Sequence, residues 1–113
     1  MPWTPLCHLN ELVEGAGKYV EVGPHQLAVF LDHGKPYVMD NYCPHAGGNL
    51  AGGRVEKGCA ICPWHDWAFR LHDGQLRESK FVHVAVYPVR VVEEGGKKVV
   101  EVDLSAPSKP AGV

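Results

Sequence analysis

The sequence lacks three features that would place it in a membrane, secreted or nucleic-acid-binding class. No apolar run approaches the roughly 18 residues that a membrane-spanning helix needs. The N-terminal segment, Met1 to Pro5, has neither the basic stretch nor the apolar core of a signal peptide. Positive charge is not in excess either, since 11 Lys and Arg are balanced by 13 Asp and Glu, for a formal net charge of -2. We therefore expect a cytoplasmic protein without a membrane anchor and without affinity for nucleic acid.

The length and composition are those of one small globular domain. The 113 residues are 45% apolar and 21% charged, which is enough for a single modest core. Cysteines are few, at positions 7, 43, 59 and 62. An even number of cysteines indicates disulfides only in a secreted protein, and nothing in the sequence indicates secretion. With seven histidines also present, metal binding is the better default.

The sequence predicts strands at both ends of the chain, and residues 18–22 show the alternation of polar and apolar side chains that is typical of a half-buried strand. We place them at 18–22, 26–31 and 36–40, with a turn at 32–35, and in a long β-rich run at 82–92 that turns at 93–96 into a strand at 97–102. One short helical turn is expected after Asn10 as its cap, through Leu12 and Val13. Residues 105–113, rich in Ser, Ala and Pro, are expected to be a flexible tail.

Residues 41–80 differ from both ends because they contain glycines, aromatic residues and three of the cysteines, but little alternation. We expect a loop-rich subdomain inserted in a β scaffold, with a hairpin at 53–58. Loops of this kind, held by rigid strands, are where ligands are usually bound.

Two motifs in this subdomain carry the chemistry. Cys43-Pro44-His45 is followed, after sixteen residues, by Cys62-Pro63-Trp64-His65. Two thiolates and two imidazoles suit iron–sulfur or zinc chemistry. Common zinc fingers pair Cys with Cys and His with His, whereas each loop here supplies one of each. This order favours a two-iron cluster, with both cysteines on one iron and both histidines on the other, and leaves a structural zinc site as the alternative.

The same residues resemble the two cluster-binding loops of the Rieske family. The resemblance rests on the stretches Cys43 to Gly48 and Cys62 to Trp67 and on the turn Asp73-Gly74-Gln75. It implies an all-β fold of the Rieske iron–sulfur protein type, with an antiparallel β-sandwich base and the cluster loops at its tip. It also implies one [2Fe–2S] cluster per chain, ligated by Cys43, His45, Cys62 and His65, in a single domain over residues 1–104.

Several neighbours of the ligands are expected to tune and shield the cluster. Gly47 and Gly48 would let backbone N–H groups approach the sulfides, and Trp64, Trp67 and Phe69 would shield them. High-potential relatives have hydroxyl side chains where this chain has Trp67 and Phe69, and a disulfide where it has Gly48 and Trp64. We therefore expect a potential near the bottom of the Rieske span, which runs from roughly −150 to +300 mV.

Three functions follow from this reading. The first is a ferredoxin that carries single electrons from a flavin reductase to a terminal oxygenase such as a dioxygenase, with no catalysis and no small-molecule substrate of its own. The second is the small subunit of an assimilatory NAD(P)H nitrite reductase, which would dock on the large subunit. The third is a structural zinc module that mediates protein contacts.

Other side chains are expected to be structural. Cys59 should pack at a strand end beside the cluster, and Cys7 should be a buried thiol. The five remaining histidines should occupy surface or turn positions. The family's Gly/Pro-rich third loop is replaced by Glu78 to Phe81, where Phe81 would cover the cluster.

Overall fold

The fold is all β and antiparallel. The computed structural model describes residues 3–42, 49–63, 66–77 and 82–107. These residues form no α-helix, two 3₁₀ turns (Leu9–Glu11 and Leu50–Gly52) and ten strands: β1 Trp3–His8, β2 Gly17–Val22, β3 His25–Asp32, β4 Lys35–Asp40, β5 Arg54–Glu56, β6 Cys59–Ile61, β7 Ala68–Arg70, β8 Val86–Tyr87, β9 Val89–Glu94 and β10 Lys97–Asp103.

Three sheets result, and the four-stranded one lies in the middle. Its strand order is β2-β3-β4-β8, which we call the central sheet. Residues 27–30 of β3, Leu-Ala-Val-Phe, are all fully buried. A strand covered on both faces has no reason to alternate, which explains this unbroken apolar run.

One face of the central sheet packs on the outer sheet, whose strand order is β1-β10-β9. Leu27, Val29 and Val38 of the central sheet share a buried core with Val100 and Val102 of β10. This sheet-on-sheet packing is the predicted sandwich base, and the fold class expected from the sequence is confirmed.

The opposite face carries the loop-rich region. A small sheet, β5-β6-β7, belongs to it, and Ala28, Phe30 and Met39 share a second core with Cys62 and Phe69. The hairpin expected at 53–58 is present as β5 and β6, joined by a left-handed turn at Lys57 and Gly58. The region is therefore fixed to the base by buried side chains, not by its strands alone.

Two expected elements were wrong in detail. Asn10 lies inside the 3₁₀ turn rather than capping it, and the Oε2 of Glu11 instead accepts the His8 backbone N–H at 2.7 Å. The run 82–92 is not one strand, because Pro88 separates β8, which pairs with β4, from β9, which pairs with β10. Proline lacks the N–H that would continue a ladder, so the chain changes sheets at this residue.

Strand β1 was not predicted at all. Its sequence contains Pro5, which is tolerated because β1 is the edge strand of the outer sheet, and its pairing with β10 shifts between Pro5 and Cys7. Across the four described ranges, no helix is long and apolar enough to cross a membrane.

Candidate metal centre

The structure describes one of the four predicted ligands. Cys62 follows β6 directly and is fully buried. Cys43, His45 and His65 lie outside the described residues, as do Gly47, Gly48, Trp64 and the segment 78–81. Within the part of the chain that is described, no group of three or more His, Cys, Asp or Glu converges, and that part contains only one predicted ligand.

The second loop is closed at its base by backbone pairing. The Cys62 N–H donates to the carbonyl of Trp67 at 2.8 Å, directly beyond the pairing of Ile61 with Ala68. Asp66 adopts a left-handed conformation, with φ 54°, which lets the chain reverse within this short span. Cys62 therefore stands at the root of a tight turn that is anchored by two strands.

Two of the three aromatic residues predicted to shield the cluster, Trp67 and Phe69, lie in or against the same core as Cys62, and Trp64 lies outside the described residues. Phe69 is fully buried in the same core as Cys62, and Trp67 is half-buried against that core. Their ring centroids are 6.4 Å apart at an angle of 45°. A buried thiol backed by apolar rings is a low-dielectric site, which suits a thiolate only if a cation neutralises it. This surrounding fits a metal-bound cysteine.

The predicted turn at Asp73-Gly74-Gln75 is present. Asp73 forms a bidentate ion pair with Arg70, and its Oδ1 also accepts the N–H of Gln75 at 3.0 Å. Burial alone would raise the pKa of Asp73, but the hydrogen bonds from Arg70 and Gln75 outweigh it and lower this pKa. Gly74 is required because its φ is +76° and a Cβ would lie 1.8 Å from the oxygen of Val84.

An exposed charged side chain on β5, Arg54, pairs with Glu56 of the same strand and with Asp66 of the second loop. The guanidinium of Arg54 lies 2.7 Å from Glu56 and 3.6 Å from Asp66. All three side chains are at least half exposed, so these pairs contribute little to stability. They do connect β5 to the residue that follows His65.

The three described cysteines are all free thiols. Cys59 is buried at the start of β6, as predicted, and burial raises the pKa of its thiol despite the nearby Arg77 and Arg70. Cys7 is only half-buried, so the expectation of a buried thiol was wrong, although burial still raises its pKa. Cys7 packs at the margin of the sandwich core, on the edge strand β1.

Sequence reasoning missed two residues at the entrance to the first loop. Asp40 accepts a hydrogen bond from the hydroxyl of Tyr87 at 2.7 Å. The Oδ1 of Asn41 accepts the N–H of Ala51 at 2.6 Å. Their position directly before the Cys43 motif was the only available signal, because both partners are distant in the sequence.

Comparison with known proteins agrees with this arrangement. A family model described as the Rieske [2Fe-2S] domain matches residues 2–100. The cholesterol 7-desaturase of Hemicentrotus pulcherrimus is 40% identical over 75 residues, which are 65% of this chain but 16% of that protein. The chain thus spans about a sixth of the length of that relative.

Two similar proteins match over most of their length. The ferredoxin component of the alkene monooxygenase system of Xanthobacter autotrophicus is 28% identical over 87% of this chain and 80% of that protein. A crystal structure from Mycobacterium tuberculosis, described as an NADH-dependent nitrite reductase small subunit, superposes with a TM-score of 0.76 at 27% identity. That superposition covers 92% of this chain and 96% of the other.

Proposed function

Because the chain belongs to the Rieske [2Fe-2S] domain family, we propose that it is an electron-transfer protein whose single cluster is held by Cys43, His45, Cys62 and His65. The observation that carries the proposal is the environment of Cys62. Its thiol is fully buried at the root of a loop closed by its own N–H. A buried thiol without a metal would be an inert core group, whereas its place in a Cys-x-x-His motif gives it a ligand's role.

A bound cluster of this kind would supply reversible one-electron transfer, at a potential raised by the replacement of two thiolates with imidazoles. The chain's own residues hold and shield it. Phe69, which is fully buried behind Cys62, has no hydroxyl to donate to a cluster sulfur. Fewer hydrogen bonds to the sulfurs mean a less stabilised reduced state. We therefore place the potential near the lower end of the Rieske span, and a midpoint well above 0 mV would contradict this.

The partner we propose is a redox protein. The relative from Xanthobacter is a ferredoxin component of a monooxygenase system, and the two chains match over most of both lengths. This supports a carrier that receives electrons from a flavin reductase and delivers them to a terminal oxygenase, such as a dioxygenase. The proposal includes a cytoplasmic location, which fractionation of cells that express the tagged chain would test.

A second candidate is the small subunit of a nitrite reductase. The superposition on the Mycobacterium tuberculosis protein covers nearly all of both chains. In that case the chain would copurify with a large flavin- or haem-containing subunit from its native host. Purification as a single chain that reduces an oxygenase component favours the carrier.

The cluster is tested by metal analysis and EPR of anaerobically purified protein. We expect two iron and two acid-labile sulfide per chain and, after dithionite reduction, a rhombic signal with the low average g of mixed Cys/His ligation. Cys62→Ala should abolish the signal. Cys59→Ala is the matched control, since Cys59 is also buried and only three residues away, and it should retain the cluster.

Two outcomes would refute the proposal. Zinc in place of iron would support the structural module instead. Loss of the cluster in Cys59→Ala but not in Cys62→Ala would show that the ligand has been assigned to the wrong cysteine.

A further inference from the structure

The first loop begins and ends at residues that contact each other. The first stem of the loop is Asn41, directly after β4. The second stem is the 3₁₀ turn Leu50–Gly52. Asn41 is half-buried, and its backbone N–H donates to Gln26 of β3 at 2.9 Å. Its side-chain Oδ1 accepts the N–H of Ala51 at 2.6 Å, across ten residues of sequence. One carboxamide therefore joins the two stems of the loop.

The Ala51 N–H depends on this partner. Ala51 is 6% exposed, so water cannot readily replace the Asn41 oxygen. A buried N–H left without an acceptor costs far more than an exposed one. Removing the Asn41 side chain is expected to release the stem rather than merely weaken it.

The same stem is also held by close backbone approach at Gly17 and Gly53. A Cβ on Gly17 of β2 would lie 2.5 Å from the Ala51 oxygen, and a Cβ on Gly53 would lie 1.8 Å from the oxygen of Ile61. Ile61 is the last residue of β6, directly before Cys62. The stem of the first loop is thus in contact with the strand that presents the second.

We propose that Asn41 is a positioning residue that holds the two ends of the first loop together and keeps the stem at Ala51 against the strand that leads to Cys62. This inference rests on the proposed function, because the position of the loop matters only if Cys43 and His45 are ligands. A neutral carboxamide provides the acceptor without adding negative charge beside an anionic cluster. An aspartate would keep the acceptor oxygen, but its negative charge would disfavour the addition of an electron to the cluster.

The test compares three variants of the protein as purified. In Asn41→Ala, hydrogen–deuterium exchange should rise in peptides that cover residues 49–53, and cluster absorbance should bleach roughly tenfold faster in the presence of EDTA. Asn41→Asp should restore both the protection and the cluster lifetime, but should lower the reduction potential. Gly17→Ala, whose Cβ would press on the Ala51 oxygen of the same stem, should also raise the exchange. It replaces Asn41→Ala in the test if that variant does not fold.

The control is Glu14→Ala. The Glu14 carboxylate accepts the N–H groups of His33 and Gly34 at 2.7 and 3.0 Å, at the end of β4 that is opposite to the loop. This variant should melt at a lower temperature yet keep the wild-type EPR g values and cluster lifetime. Asn41→Ala should instead shift or broaden the EPR signal of whatever cluster remains.

The outcomes separate the two proposals. Wild-type protein without iron or an EPR signal refutes the proposed function, and the exchange measurement then still tests whether the hydrogen bond between Asn41 and Ala51 holds the stem. Exchange over 49–53 that is unchanged in Asn41→Ala refutes that role of the hydrogen bond. A cluster lifetime and EPR spectrum in Asn41→Ala that match those of Glu14→Ala refute the positioning role while leaving the proposed function standing.

Discussion

Tyr87 offers a sharp test of how the sandwich is joined to the first loop. Its side chain is 7% exposed, and its hydroxyl donates to Asp40 at 2.7 Å between residues 47 apart in sequence. Tyr87→Phe keeps the ring, including its edge contact with His25 at 6.2 Å between centroids, and removes only the donor. The Asp40 carboxylate is then left half-buried without this partner.

The expected loss follows from the charge on the acceptor. Hydrogen bonds to charged groups contribute about 1.5–3 kcal/mol. For a chain of this length 1 kcal/mol corresponds to a melting-temperature change of roughly 4 °C. We therefore expect Tyr87→Phe to melt about 6–12 °C below wild type at pH 7, as measured by circular dichroism.

The pH dependence gives a second, independent readout. Burial, together with the hydrogen bond to Asp40, raises the pKa of Tyr87 above its usual value. A raised pKa means that the folded state keeps the proton at a pH where the unfolded state has lost it. The contribution of Tyr87 to stability is therefore fully present below about pH 10 and is lost as the pH rises further. Tyr87→Phe lacks this proton, so its unfolding free energy should fall less steeply above pH 10 than that of wild type.

The matched control is Tyr19→Phe. Tyr19 also donates to a carboxylate, that of Glu21 at 3.0 Å, but it is 45% exposed. This variant should melt within error of wild type at pH 7. If Tyr87→Phe and Tyr19→Phe melt alike at pH 7, or if Tyr87→Phe keeps the wild-type alkaline slope, the reasoning about the buried hydrogen bond is wrong.

Three further perturbations, each followed by urea unfolding, test other parts of the structure. Gly74→Ala should lower the free energy of unfolding by more than about 2 kcal/mol, because its Cβ would clash with Val84. Gly34→Ala has the same φ of +76° but open space around its Cβ, so it should lower the free energy of unfolding by only about 1 kcal/mol. Equal losses in the two variants would exclude the clash as the cause. Phe69→Ala, at a fully buried position, should lower the free energy of unfolding by about 3–5 kcal/mol. A decrease below about 1 kcal/mol would contradict its position in the core. Asp73→Asn removes a carboxylate whose pKa is lowered in the folded state. The contribution of this carboxylate to stability is present above about pH 4 and is lost below it, so the stability of the variant should fall less than that of wild type as the pH is lowered. An unchanged acid transition would contradict this prediction.

The sequence predicted several local features, namely strand positions, one turn and the class of the metal site. Alternation placed β2, and β3 was also placed to within one residue at each end. The turn at Asp73-Gly74-Gln75 was expected from the resemblance to the Rieske family, and Gly74 adopts the positive φ that few residues other than glycine accept. The order of Cys and His in the two motifs predicts the class of site, since the ligand chemistry lies in the residue types and their spacing.

Partnerships across long separations were decided only by the tertiary structure. At Pro88 the chain passes from one sheet to the other, because β8 pairs with β4 and β9 pairs with β10. A local β-rich pattern does not specify the strand with which a segment pairs. The hydrogen bond from Ala51 to Asn41 and the lack of space at Gly17 arise because β2, β4 and the first-loop stem meet in space. The sequence by itself determined which residues could ligate a cluster and which turns the chain could make. Which backbone groups fix the root of the second loop and the stem of the first depended on packing, because a buried hydrogen bond forms only where the fold brings donor and acceptor together and excludes water.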